Sequence, residues 1–333
     1  MVSLVAAAAL ASSAYRFEAE TKLDYDVNVV FEGFLPLLGG NEGKADVKMG
    51  VRVNGLEPDD LGIRSTSELT AFEISFNGGK LPLDVESAKV YFPKTTVTST
   101  NLGKVLKSNA PELNLPVRLP GLDVRRFPDI TYLPIELSGK ELTVGENWKF
   151  ERLFGDAPMQ YDCTVLQVRD SGRVTIAVKV HQQYEVWEDE TLEVVPEEKG
   201  ATARVKTTLD GSGTVFFDVS KGVAVGADMK NATTSDVRDI KSGKTTTRKL
   251  NSTLKVRLKG FDDKDGGVAV KAAPSKPGTL IDQSVGFFRN VWDSGKDLWS
   301  QGVGYTTLLR ATLGFFLYQM PGGSKFAKFV LGA

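Results

Sequence analysis

Few residues in this chain are able to do chemistry, and their types exclude most of it. His181 is the one histidine and Cys163 the one cysteine among 333 residues. A single imidazole cannot build multi-histidine metal sites, and a lone thiol cannot build a cysteine zinc site. His181 stands mid-run in KVHQQYEV, where alternation makes it a surface sheet residue rather than the base of a triad. Cys163 alternates with its neighbours in YDCTV, the placing of a small buried hydrophobe. No G-x-S-x-G, Walker or G-x-G-x-x-G motif lies between a strand pattern and a helix pattern. Asp262, Asp263 and Asp265 before Gly266-Gly267 faintly imitate a calcium loop. The third ligand position is Gly267 and the bidentate Glu is missing, so the stretch reads as solvated linker. The acids Glu188, Asp189, Glu190, Glu193, Glu197 and Glu198 read as a sheet-edge loop, where charge discourages edge-to-edge pairing. Carboxylate-pair hydrolysis stays open by residue type, but no spacing nominates a pair. The expectation is a protein that is not an enzyme, with no catalytic residue, no metal and no cofactor.

Composition narrows the partners. Lys and Arg total 41 against 42 Asp and Glu, a net charge of −1, so no basic excess exists to neutralise nucleic-acid phosphates. One cysteine excludes an internal disulfide, and stability must come from packing. At 41% hydrophobic residues, the chain is long enough to bury a sizeable core.

The elements are organised around GSGTVFFDVSKGVAVGA, residues 211–227. Val215, Phe217 and Val219 alternate on one side of a Ser-Lys-Gly corner, and Val223 and Val225 on the other. Gly222 can take the positive φ of a tight loop, so the stretch predicts a half-buried antiparallel hairpin. An echo lies in AKVYFPKTTVTST, residues 88–100, with Val90, Tyr91 and Phe92 where the later copy has Val215, Phe216 and Phe217.

In chain order, residues 1–14 read as a signal-peptide core, apolar from Val2 to Ala11 with small residues at Ser12-Ser13-Ala14. A basic n-region is missing, and an N-terminal hydrophobic strand is the other reading. Residues 15–110 form a first β module of alternating runs, punctuated at Asn54-Gly55 and Asn77-Gly78-Gly79. Leu102–Leu106 reads as one or two helical turns. Residues 111–146 hold Pro111, Pro116, Pro120, Pro128 and Pro134 and read as a connector, with a short edge strand at Leu133–Leu137. Residues 147–260 form a second β module and 261–278 a linker. The predicted fold is mainly β: two related curved antiparallel sheets, an internal duplication, followed by a helical C-terminal tail.

The tail, residues 279–333, carries the functional content of the sequence. Ile281, Val285, Phe288, Trp292 and Trp299 line one helix face, and Tyr305–Met320 reads as a second helix. Phe288, Trp292, Trp299, Phe315, Phe316, Phe326 and Phe329 are the candidate ligand- or membrane-binding residues. Three roles are open to this tail: covering a sheet face, lying at a membrane interface or in a partner's groove, or spanning a bilayer. Arg310 inside the window Gly302–Met320 would cost a span about 3 kcal/mol.

The Val144-Gly145-Glu146-x-Trp148 opening and the repeated hairpin resemble uncharacterised exported bacterial proteins with open antiparallel half-barrels, similar to the periplasmic lipoprotein carriers. The resemblance covers residues 15–260 and transfers no functional residues. It implies a sheet curled round an apolar hollow that binds a lipid or acyl chain, with helices as plug or lid. This chain departs from it in lacking a lipobox and in placing its helices last. The expected protein is exported, periplasmic or extracellular, and membrane-associated through residues 279–333 or bound there to an envelope partner. It binds an apolar ligand, or alternatively serves as an assembly subunit docking through those helices.

Overall fold

A computed structural model describes residues 13–35, 41–81, 84–109, 132–154, 157–190, 192, 194–197 and 199–260. The signal-like residues 1–12, most of the Pro-rich connector, the Asp262–Gly267 stretch and the whole tail with its seven candidate residues lie outside the described residues. The described residues belong to one of the two compact units into which the chain divides.

Alternation produces long antiparallel strands: β1 (Lys22–Leu35), β2 (Asn41–Asp59) and β3 (Gly62–Phe76), then the two-residue β4 (Gly79–Lys80). A seven-residue helix α1 (Val85–Tyr91), β5 (Thr95–Ser99) and β6 (Val105–Ser108) follow. After the connector come β7 (Asn147–Phe154), β8 (Ala157–Val168), β9 (Arg173–Glu188) and the short β10 (Val194–Val195). The last three are β11 (Ala203–Asp218), β12 (Val223–Asp239) and β13 (Thr245–Leu258). All join one 13-stranded sheet, whose path runs β6-β5-β3-β2-β1-β13-β12-β11-β9-β8-β7, with β4 on β3 and β10 on β9.

The two expected sheets are therefore one. β1 pairs with β13 from Tyr25–Leu258 to Gly33–Leu250, which closes the first half of the chain onto its end. The expected duplication also fails at its source. The 211–227 hairpin forms as read, with Gly222 at φ +68°. Its supposed copy is helical over Val85–Tyr91, because Asp84 caps the first turn by accepting from the Ser87 amide at 2.8 Å.

Three further expectations need correction. Leu102–Leu106 is a turn leading into β6, not a helical turn. Leu133–Leu137 is not an edge strand; it forms no ladder, and Leu133 and Ile135 are fully buried. Asn54-Gly55 lies inside β2, where Gly55 lets the N-terminal segment cross: a Cβ there would stand 1.9 Å from the Glu18 carbonyl oxygen. The Asn77-Gly78 turn does form, with both residues at positive φ.

The sheet curls until its ends approach. Between β5 and β7 lie nine strand spacings, roughly 43 Å on a flat sheet. Yet Arg152 of β7 donates from Nη2 to the Gly103 carbonyl in the β5–β6 turn at 3.3 Å. One core cluster runs through every long strand.

Candidate functional site

The inner face can be read row by row, because the register fixes which residues stand side by side. One row runs Phe72, Met49, Val27, Val256, Ala227, Val215, Ile176 and Val165, from β3 round to β8. The next runs Ile74, Val47, Val29, Leu254, Met229, Gly213, Val178, Cys163 and Trp148, from β3 to β7. Neither row contains a charged side chain. Together they form an apolar belt around the concave face. In the second row Ile74, Val47, Leu254 and Met229 are only half-buried.

Below the belt, two segments plug the interior. Tyr15 and Phe17 precede β1, and Tyr132–Leu137 follows the connector. Tyr15 meets Phe217 edge-on at 5.2 Å, and Phe17 meets Tyr132 at 5.4 Å. Each buried hydroxyl is satisfied: Tyr15 donates to the Ile135 carbonyl, Tyr25 to the Ala224 carbonyl, and Tyr132 shares a hydrogen with Ser65. Burial pushes the Tyr15 and Tyr25 hydroxyls above their ordinary range, so both stay neutral.

Above the belt the wall mixes apolar residues such as Phe31, Val180, Leu209 and Leu250 with uncharged polar ones, and Arg152 ends one of these tiers on β7. Ser252, Asn231, Thr233, Gln182, Thr207 and Ser235 stand on the inner parity of β13, β12, β9 and β11. Thr207 and Ser235 share a hydrogen bond at 2.8 Å, Asn231 donates to Ser252 at 3.2 Å, and Gln182 donates to the Ala157 carbonyl at 2.9 Å. Asn231 Oδ1 is buried with no hydrogen-bond partner. It lies over Gly211, its cross-strand neighbour, where a Cβ would stand 2.0 Å from it.

The rim is charged. Arg248 of β13 donates to Glu188 of β9 at 2.6 Å, across the two intervening strands, and its guanidinium lies 4.5 Å from the Phe34 ring centre. Both partners are largely buried, so this pair bridges the concave face over the small cluster Ala203, Val205 and Val237. Beside it Asp189, Glu190, Asp239 and Lys244 line a shallow cleft of about 360 Å³. Part of the expected acidic edge loop thus forms the rim of the interior.

The two ends of the open sheet path are linked through Arg152 of β7, which reaches the β5–β6 turn and residues 133–136. Arg152, with 6% of its side chain exposed, donates to the Leu133 carbonyl at 2.7 Å, Pro134 at 3.4 Å and Gly103 at 3.3 Å. Glu136 supplies a carboxylate at 3.5 Å, and the Phe150 and Tyr161 rings lie 5.4 and 5.7 Å away. Trp148 donates from Nε1 to the Glu136 carbonyl at 2.8 Å.

The lone histidine and the lone cysteine fall where their alternation put them. His181 is half-exposed on β9 and bonded through Nδ1 to Asp210 at 2.8 Å. Cys163 is fully buried in the belt, and burial pushes its thiol up to about 12, which makes it a poor nucleophile at neutral pH. No cluster of metal-ligating side chains occurs among the described residues. Among them, no helix is long and apolar enough to cross a membrane. Sequence reasoning missed Arg152, Tyr132 and the row structure of the belt; the Arg-x-Phe alternation around β7 was the one local signal for an inward arginine.

No family model and no curated protein matches the chain. The likeness to exported half-barrel proteins therefore gains nothing from them. A solved structure described as lipid-protein interactions in lipovitellin is similar, with a TM-score of 0.45 and 14% identity. It matches over 80% of this chain, which spans 27% of that chain's length.

Proposed function

We propose that this protein is a non-catalytic binding protein that holds an apolar or amphiphilic ligand, a lipid or acyl chain, against its curled sheet. The observation that carries this reading is the apolar belt, two continuous rows crossing from β3 to β7 or β8 with half-buried Ile74, Val47, Leu254 and Met229. Burying methylene groups there contributes about 0.8 kcal/mol each, so one acyl chain supplies ample affinity. The hydroxyls and carboxamides above the belt suit the polar end of such a ligand. Export to the cell envelope belongs to the same reading and rests on the leader-like residues 1–14.

A second reading makes the protein an assembly subunit of the envelope that docks through residues 279–333. The spacing of Phe288, Trp292 and Trp299 in the sequence, which suits one face of a helix, favours it.

The deciding experiment is solvent extraction and mass spectrometry of protein purified from its native source, for the full chain and a chain ending at Pro274. A stoichiometric lipid in both supports the belt as its site. A lipid held only by the full chain moves the site to the tail. None in either, with no N-phenylnaphthylamine fluorescence on titration, overturns ligand binding and favours the subunit.

A further inference from the structure

We propose that the β6–β7 seam is the port through which the ligand reaches the belt, with Arg152 as its latch; this rests on the ligand-binding reading above. Every other line across the curled sheet is a backbone ladder, as from Tyr25–Leu258 to Gly33–Leu250 between β1 and β13. Opening any of them breaks many backbone bonds together. At the seam, the two end strands of the path do not pair with each other.

They are joined instead through the strap Tyr132–Leu137. On the β6 side the strap is tied by backbone and core contacts: the Leu137 amide to the Leu102 carbonyl at 2.8 Å, Tyr132 to Ser65, and Tyr15 to the Ile135 carbonyl. On the β7 side it is held by side chains, those of Trp148 and Arg152. β7 can therefore part from the strap by releasing those two side chains, while β8 stays laddered to β9 from Met159–Gln182 to Val168–Val174. Arg152 makes three of the four side-chain hydrogen bonds from β7 to the strap. When it leaves, the carbonyls of Leu133, Pro134 and Gly103 and the guanidinium itself all gain water, so the open state leaves no buried polar group stranded. Elsewhere the aromatic plug fills the interior below the belt, and the Arg248–Glu188 pair spans the rim beside its shallow cleft.

The test uses the full chain in two steps. Hydrogen exchange without ligand should show β7 amides opening at least tenfold faster than those of Val27–Phe31 in β1. Arg152→Lys and Arg152→Met should accelerate β7 further and leave β1 unchanged. Then stopped-flow uptake of N-phenylnaphthylamine should quicken at least fivefold in both Arg152 variants at similar final occupancy, while Arg248→Met leaves the rate unchanged. If Arg152→Met does not fold, Arg152→Lys and Glu136→Gln give the same comparison. β7 protected as strongly as β1 would overturn the seam. Uptake quickened by Arg248→Met and not by the Arg152 variants would place the port at the rim. Absence of probe binding by the unaltered protein would overturn the ligand-binding reading and the port with it, leaving exchange to report only whether the seam opens.

Discussion

At the residue scale, the buried thiol and phenols tie stability to alkaline pH. Cys163 has its folded value raised from an ordinary 9.0 to about 12 by burial, and Tyr15 and Tyr25 are raised from 10.0. As pH rises past those ordinary values the unfolded chain loses protons that the folded chain keeps. Folding is then disfavoured, by up to about 1.4 kcal/mol per pH unit for each group. Urea midpoints should be level below pH 9 and fall above it, with Cys163 responsible for the first part of the fall. Cys163→Ala should flatten the slope between about pH 9 and 10; an unchanged slope would contradict the assignment. Gly211 offers a packing test. A Cβ there would stand 2.0 Å from Asn231 Oδ1 and 2.5 Å from Val180 Cγ2, so Gly211→Ala should cost about 1–3 kcal/mol. Adding Asn231→Ala removes the nearer obstacle, and a double-mutant cycle should recover part of that loss.

At the scale of elements, turns decide where strands end, and here a glycine does two tasks. Gly222 sits at φ +68° between β11 and β12, and a Cβ on it would meet Arg16 Cγ at 2.6 Å and the Ala14 carbonyl oxygen at 2.8 Å. The Arg16 amide also donates to the Gly222 carbonyl at 2.8 Å. Gly222→Ala should therefore cost more than the left-handed backbone penalty of about 1 kcal/mol, because it also pushes the N-terminal segment off the sheet. Thermal melts would show the loss, and limited proteolysis should cut sooner near Arg16. An intact N-terminal segment would separate turn strain from docking.

At the scale of the whole described unit, the β1–β13 ladder makes the two halves of the chain one cooperative structure. Exchange under rising denaturant should release Val47–Val53 of β2 and Val174–Val180 of β9 at a common midpoint. Two separate midpoints would mean that the halves fold independently despite their shared sheet. Val29→Asp, which places a carboxylate in the belt on β1 beside β13, should lower both together by about 3 kcal/mol or more.

Alternation of apolar and polar residues determined the strands, because a sheet with one covered face needs a period of two, and β8, β9, β11, β12 and β13 lie close to where that pattern puts them. The same alternation put His181 on the exposed face of β9 and Cys163 on the buried face of β8. Local pattern failed at residues 88–92, where Val-Tyr-Phe suits strand and helix alike and the Asp84 cap decided for helix. Tertiary structure alone decided that β13 pairs with β1, since strand pairing depends on contacts more than two hundred residues apart in sequence. It alone brought Arg152 to the carbonyls of Gly103, Leu133 and Pro134. Those acceptors are backbone atoms, whose positions no side-chain pattern encodes, so the seam and its latch exist only once the sheet has curled.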